Sequence, residues 1–350
     1  MTSLTGEPGP RLDPWSASSL LQKAIRRGEA ELAQTAARAL HRYRGNSIWR
    51  RLINIAVEDI GIADIGLVAD LSCVGTDKTL RSVLGADNDL VDQFCLRMAE
   101  ATKDRSADYL YCVTTKLEAC RLERAELEQC SLPALVEIAI DAALPLFRRA
   151  NAALLACSSA TPGGTKLRPG AVEQLLSATP IRHITLDNAV LRLAAINFHP
   201  FCLMLPLLWP RFWHDSSASN VVEDELPGVA LVDGIPLYTF DKHTAAGKQA
   251  IARFADENDQ VRSMLDQWAT GVRRLDVAAM AAFYADGAPV KQRLNWPTGS
   301  LLTHAGFIAD MVDAGCPIDG AVPLLHCTRE NLSHLNDLRR AVLRTPTPKK

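Results

Sequence analysis

Apolar residues recur at intervals of three and four along most of the chain, which is the spacing of amphipathic α-helices. In the first part of the chain this spacing predicts a helix that starts near 16–19 and is interrupted by Gly28. A second helix is predicted over 29–43, and a third begins at 46–47 and ends at Gly61. The pattern therefore predicts a helical array with short turns.

The later segments continue this spacing, with one exception. Helices are predicted over 87–98, 106–127, 133–155, 170–177 and 186–198, and helical spacing returns over 244–285 and 300–343. Residues 228–240 instead resemble two short strands around Asp233-Gly234, and they are the only β-structure that the pattern predicts. The predicted fold class is all-α, with a helical array followed by a second, mostly helical domain that carries a small β-hairpin.

A length of 350 residues exceeds what one core usually serves, so two domains are expected. The stretch Ser-Ser-Ala-Thr-Pro-Gly-Gly-Thr at 158–165 is typical of a linker and marks the predicted boundary. The predicted organisation is a flexible lead-in at 1–15, a helical domain at 16–157, a linker at 158–169, a mostly helical partner or ligand domain at 170–343 and a disordered tail at 344–350.

Composition limits the classes of function. The formal net charge is -2, so a polyanion cannot be held by bulk electrostatics and any nucleic-acid contact must be local. Nine cysteines without a Cys-x-x-Cys pair indicate a reducing compartment, and the N-terminus lacks the pattern of a secretory signal. The longest apolar run, 198–213, is shorter than the about 20 residues that span a bilayer. A cytoplasmic protein without a membrane segment is expected.

Three segments together resemble one known domain. They are SLLQKAIRRG at 19–28, IWRRLINIAVEDIGIAD at 48–64 and MAEATKDRSADYL at 98–110. Their order and approximate spacing are similar to those of the C-terminal helical domain of the RarA/MgsA/Werner-helicase-interacting AAA+ ATPases. The resemblance covers about residues 16–125 and rests mainly on the Glu58-Asp59-Ile60-Gly61 motif.

This resemblance implies a clamp-loader-like helical collar that assembles into oligomers, with a tetramer as the first expectation. It also implies a role at stalled replication forks or other DNA ends, in bacterial DNA replication, repair or mobile-element maintenance. In that family an AAA+ ATPase precedes the domain, whereas here about 15 residues precede it and the sequence has no Gly-x-x-x-x-Gly-Lys-Ser/Thr loop. ATP hydrolysis is therefore not expected, and no cofactor is predicted.

The charges of the matching region are divided. Residues 11–51 hold nine Lys or Arg against three acids, and residues 52–110 hold five against eleven. Two segments of opposite charge favour ion pairing with each other, within a subunit or across a subunit interface. The alternative is a phosphate-binding strip for DNA formed by Lys23, Arg26, Arg27, Arg42, Arg44 and Arg50.

A second candidate site lies at 241–248, where a predicted strand gives way to a helix. Asp241 and His243 are candidates for an acid/base pair or metal ligands, and Lys248 with the first helical amides is a candidate anion site. A single Asp-x-His is weak evidence, and the favoured interpretation is that Thr244 or Asp241 caps the helix. The histidines show no zinc-binding spacing, so no metal is predicted.

Glu58, Asp59 and Asp64 also allow two interpretations. Paired carboxylates can form a metal or acid/base site, but near a helix end they more often bond backbone amides and arginines, here Arg50 and Arg51. The sequence as a whole favours a non-enzymatic oligomer that acts through partner binding and DNA binding. The alternatives are an enzyme with its site at 241–248 and a collar subunit for a separately encoded ATPase.

Overall fold

The computed structural model describes residues 12–161, 164–269 and 271–345. Its helices are α1 Pro14–Arg27, α2 Ala30–Arg44, α3 Ser47–Ile55, α4 Ile65–Thr76, α5 Lys78–Leu84, α6 Asp87–Glu100, α7 Ser106–Lys116, α8 Glu118–Leu127, α9 Leu132–Ile140, α10 Leu146–Cys157, α11 Pro169–Ala178, α12 Ile184–Ala195, α13 Met204–Asp215, α14 Ala245–Glu257, α15 Asp259–Trp268, α16 Arg274–Ala282, α17 Pro297–Ala314, α18 Ile318–Glu330 and α19 Leu332–Arg344. Its strands are β1 Ser158–Thr161, β2 Gly164–Leu167, β3 Asn220–Glu223, β4 Leu231–Val232, β5 Ile235–Pro236 and β6 Gln292–Asn295. The all-α fold class is confirmed.

The ends of the first helices follow from local chemistry. Helix α1 begins earlier than predicted because Asp13 caps it, with its side chain accepting hydrogen bonds from the amides of Trp15 and Ser16. Gly28 ends α1 in the left-handed conformation, as predicted. Most of the predicted lead-in, and the tail beyond residue 345, lie outside the described residues.

Two helices predicted as continuous are broken, and the two later stretches of helical spacing each form more than one helix. The segment 106–127 divides at Leu117, whose backbone is extended, and 133–155 divides before Pro145. The segment 244–285 forms α14, α15 and α16, and 300–343 forms the remainder of α17 with α18 and α19. Apolar spacing continued across each break, so the period alone did not show it.

The hairpin at 228–240 is confirmed, with β4 and β5 antiparallel around Asp233 and Gly234, both at positive φ. It is not the only β-structure, and that expectation was wrong. Strands β1 and β2 pair within the predicted linker, and β3 pairs with β6 so that Asn220 lies opposite Asn295, 75 residues along the chain.

The apolar core does not divide at the predicted linker. Residues 158–161 and 164–167 form the β1–β2 hairpin, and the larger core cluster continues from the N-terminal helices through residue 240. A second cluster consists of residues between Ala250 and Val342, in α14 to α19. The larger cluster therefore crosses 158–169, and it also includes Trp296 and Leu302 from the later part of the chain.

Strand β6 and the residue before it connect distant parts of the chain. The Lys291 amide donates to the Arg26 carbonyl at 3.0 Å, at the end of α1. Arg293, two residues after Lys291, forms a parallel bridge with Lys103. The Lys103 amide donates to the Gln292 carbonyl at 3.0 Å. This segment fixes α1 and the 101–105 loop next to each other. No helix of the described residues is long and apolar enough to cross a membrane.

Candidate functional site

A cavity of about 370 Å³ lies where α1, α3, α7, α17 and the 241–243 turn meet, and we call it the charged cleft. Most of its lining is ionisable. The cations are Lys23, Arg26, Arg51, Arg105, Lys116 and Lys242, the carboxylates are Glu58, Asp108 and Asp310, and His243 completes the set. The cleft brings together residues of the basic strip and of the 241–248 turn, which were predicted as two separate sites.

Asp241 lies beneath the cleft as a buried ion pair with Lys23. The Lys23 Nζ is 2.7 Å from Asp241 Oδ2, and both side chains are almost wholly buried. The Asp241 carboxylate also accepts from the His243 amide at 2.9 Å and lies 3.0 Å from His243 Nδ1. Burial alone would raise the pKa of Asp241, but the attraction of Lys23 and the bonds from His243 hold it well below its ordinary value.

Asp59 forms the second buried centre. Its carboxylate accepts from Arg26 Nε at 2.7 Å and lies 3.0 Å from Arg105 Nε. Arg26 also donates to Glu58, at 2.8 Å. Burial opposes the charge on Asp59, yet these guanidinium groups hold its pKa below the ordinary value. The motif carboxylates are therefore structural, but their partners are Arg26 and Arg105 rather than Arg50 and Arg51.

The glycine of the same motif, Gly61, is explained by backbone conformation and steric contact. Gly61 has a φ of 55°, and a Cβ there would lie 2.5 Å from the Asp104 carbonyl oxygen. The Asp104 amide donates to the Asp59 carbonyl at 2.9 Å, which brings the two backbones together. Residues from all three segments of the resemblance, 19–28, 48–64 and 98–110, therefore meet at one wall of the charged cleft.

Asp108 and Asp310, two carboxylates in the wall of the cleft, have different partners. Burial, with the nearby charge of Glu58, raises the pKa of Asp108 to about 7 even though Arg105 lies 2.7 Å away. The Arg105 guanidinium is shared by Glu58, Asp59 and Asp108. One positive charge among three carboxylates favours keeping a proton on Asp108. Asp310 instead pairs with Lys116 at 2.5 Å and accepts from the Tyr284 hydroxyl at 2.7 Å.

Two cations of the cleft have no carboxylate partner among the described residues. Arg51 donates to Gln22 Oε1 at 2.6 Å and to the Ser18 carbonyl at 3.4 Å, and its buried Nε has no hydrogen-bond partner there. Lys242 lies 3.2 Å from Met280 Sδ and over the Phe283 ring. Burial lowers the pKa of both groups.

The basic strip predicted for DNA is not one surface. Lys23, Arg26 and Arg27 are buried, because they serve as intramolecular partners. Arg27 donates to the Pro227 and Asp286 carbonyls. Arg42, Arg44 and Arg50 are exposed, and Arg50 donates to the Asn197 carbonyl at 3.1 Å. Half of the strip is therefore engaged inside the protein and is not presented on one surface with the other half. Charge pairing between the two segments occurs within the chain, through Arg26 with Glu58 and Asp59 and through Arg38 with Asp92.

At 241–248 the capping interpretation describes the backbone. The Thr244 hydroxyl accepts from the Gly247 amide at 3.1 Å and caps α14. Lys248 is exposed and does not line the charged cleft, so it does not join Asp241 and His243 there. No group of three or more His, Cys, Asp or Glu side chains in the described part of the chain could hold a metal ion.

Sequence reasoning missed most of the cleft. Lys116, Lys242 and Asp310 were not singled out, and Arg105 and Asp108 entered only as letters of a family-like segment. Arg51 was considered only as a partner for Glu58. The available signal was the cluster of charges in 103–108 next to a predicted buried helix. Comparison of the chain with family models, curated proteins and solved structures finds no match.

Proposed function

We propose that the protein binds a small anionic ligand, carrying a phosphate or carboxylate group, in the charged cleft. The observation that carries this proposal is the pair Arg51 and Lys242, two half-buried cations that line the same cavity and have no carboxylate partners in the described residues. The other four cations of the cleft are engaged by Asp241, Asp59, Glu58, Asp108 or Asp310.

An anion is the partner that these two groups lack. A buried donor without a hydrogen bond costs about 1–3 kcal/mol, and the unpartnered Nε of Arg51 is such a donor. Charge-assisted bonds from a guanidinium to phosphate or carboxylate are stronger than neutral ones. The cavity volume of about 370 Å³ is at the lower end of the range for small-molecule sites.

Acid–base catalysis on the bound anion is a second candidate, favoured by Asp108. Its pKa of about 7 suits a group that exchanges a proton near neutral pH, and the half-exposed His243 lines the same cavity. This is the enzyme alternative of the sequence, moved from the 241–248 turn into the cleft. If Asp108 is catalytic, Asp108→Asn should still bind the anion but lose turnover. A variant that keeps both binding and turnover would refute the catalytic role.

The test of anion binding is calorimetry on the purified full chain with inorganic phosphate, pyrophosphate and malonate. Arg51→Gln and Lys242→Gln should each weaken binding by about tenfold, since each removes one charged partner. Arg42→Gln and Lys248→Gln remove the same charge from exposed positions outside the cleft and should leave the affinity unchanged. No binding at millimolar probe, or an equal loss in the controls, would refute the proposal.

Self-association, with a tetramer as first guess, stays a prediction from the resemblance. The charge split no longer supports it, because its pairs form within the chain. DNA binding and a partnership with a separate ATPase stay predictions on the same basis. Light scattering at micromolar protein tests the first. A gel-shift assay of the Arg42→Glu, Arg44→Glu and Arg50→Glu variant tests the second, and co-purification from the native host tests the third.

A further inference from the structure

A second and larger cavity, of about 730 Å³, lies behind one wall of the charged cleft. Tyr109 and Tyr284 form part of its lining. Their hydroxyls point the other way, since Tyr109 accepts from Arg105 at 3.1 Å and Tyr284 donates to Asp310 at 2.7 Å. Arg105 and Asp310 belong to the charged cleft, so the two tyrosines separate the cavities.

The floor of this larger cavity is aromatic and buried. Tyr109, Tyr284 and Phe307 contribute rings and Leu325 an aliphatic side chain, and all four are less than a tenth exposed. The Tyr284 and Phe307 rings pack edge to face with centroids 4.9 Å apart. A planar aromatic ligand could extend this packing while covering apolar atoms that water solvates poorly.

Among the described residues that line the rim, one cation is free to bind a ligand. Arg293 is paired with Asp224 at 2.6 Å, so these two charges cancel. The Arg329 guanidinium reaches the Tyr284 carbonyl at 3.5 Å, directly beside the aromatic floor, and no carboxylate of the described residues lies within ion-pair distance of it. Glu225 provides a negative charge on the loop that forms part of the cavity wall. A ligand anion on Arg329 would therefore have to avoid that loop.

We propose that this larger cavity, the aromatic pocket, binds a planar aromatic molecule that carries one anionic group. The ring system lies on the floor of Tyr284 and Phe307, and the anion is bound by Arg329. This site is separate from the charged cleft, and neither proposal depends on the other.

The first test locates binding with two fluorescent probes of similar shape. One is 8-anilinonaphthalene-1-sulfonate, which is anionic, and the other is the uncharged N-phenyl-1-naphthylamine. Thr303→Trp fills the pocket from an exposed position on α17 and should abolish the binding of both probes. Leu301→Trp places the same side chain on the same helix outside the pocket and should bind both probes as the wild type does. The proposal would be overturned if Thr303→Trp binds the probes as the wild type does, or if the wild type binds neither probe.

The second test concerns the anionic group. Arg329→Gln should lower the affinity for the sulfonate probe about tenfold and leave the neutral probe within twofold, because only the charged partner is lost. Arg42→Gln is the charge-matched control. Equal effects on both probes, or none on either, would overturn recognition of an anion. Arg51→Gln should leave both probes unaffected, so failure in the charged cleft stays distinguishable from failure here.

Discussion

Replacing Asp241 by asparagine should show whether the Lys23 pair is a buried ion pair or an incidental contact. The substitution keeps the size of the side chain and an oxygen that can accept from the His243 amide. It leaves the α14 cap intact, because that cap is Thr244. What it removes is the negative charge 2.7 Å from a lysine that is 3% exposed.

The expected loss is large because the remaining ammonium has no other carboxylate within ion-pair distance in the described residues. Breaking a buried pair by removing one partner costs about 3–5 kcal/mol, against about 1 kcal/mol for a lost cap. Unfolding entropy of about 2.1 cal/mol/K per residue gives about 0.7 kcal/mol/K for 350 residues. The melting temperature of Asp241→Asn should therefore fall by about 4–7 °C.

The assay is thermal and urea unfolding, each followed by far-UV circular dichroism, for Asp241→Asn, Lys23→Met and the double variant. The double variant should recover part of the loss, because it leaves no unpaired charge. Thr244→Ala, which removes only the cap, is the comparison. The reasoning fails if Asp241→Asn costs no more than Thr244→Ala, or if the double variant loses the sum of the single losses.

The same pair has a pH signature. Because the folded-state pKa of Asp241 lies below its unfolded value, the pair stabilises the fold above the unfolded pKa. That stability is lost as the pH falls below about 4. The free energy of unfolding of the wild type should therefore drop more steeply below pH 4 than that of Asp241→Asn.

Three further outcomes are expected from the same fold. Gly61→Ala should lower the free energy of unfolding in urea by about 1–3 kcal/mol, because its φ is positive and the Asp104 carbonyl oxygen is too close to a Cβ. Gly170→Ala, with open space around it, should be neutral, and equal effects of the two substitutions would contradict this. Asp108, with a pKa of about 7, should make stability fall as pH rises from about 4 to 7, and Asp108→Asn should flatten that slope. Lys103, whose pKa burial lowers to about 8, should make stability rise from about pH 8 to 10, and a Lys103→Met profile with the same slope would refute this.

The sequence was sufficient where structure depends on neighbours in the chain. Helix α1 and its Gly28 end, and the turn at Asp233-Gly234, are determined by apolar period and backbone freedom, and both were predicted. Strands β3 and β6 have only four residues each and depend on each other across 75 residues. A pairing of that kind leaves no local pattern to read.

The site shows the same division. Asp241, His243, Lys23 and Arg26 were selected as chemically capable residues, and each lies in or beneath the charged cleft. Their spacing could not show that Lys23 pairs with Asp241, since charge pairing depends on tertiary position. Lys23, which the basic strip offered for DNA contact, is instead buried and forms an ion pair with Asp241.

The backbone bond between α1 and Lys291 has a consequence for synthesis of the protein. Arg26 also donates to the Gly287 carbonyl, 261 residues further along the chain. At about 5–20 residues per second, the ribosome needs roughly 13–50 s to supply these partners after α1 has been made. During that interval the Gly287 carbonyl and the Lys291 amide are absent, so the C-terminal end of α1 lacks these two partners and Arg26 can bind only Glu58 and Asp59. The N-terminal helices should therefore acquire protease resistance only once residues up to about 295 have emerged, and a ribosome-bound fragment ending at 157 should be digested readily.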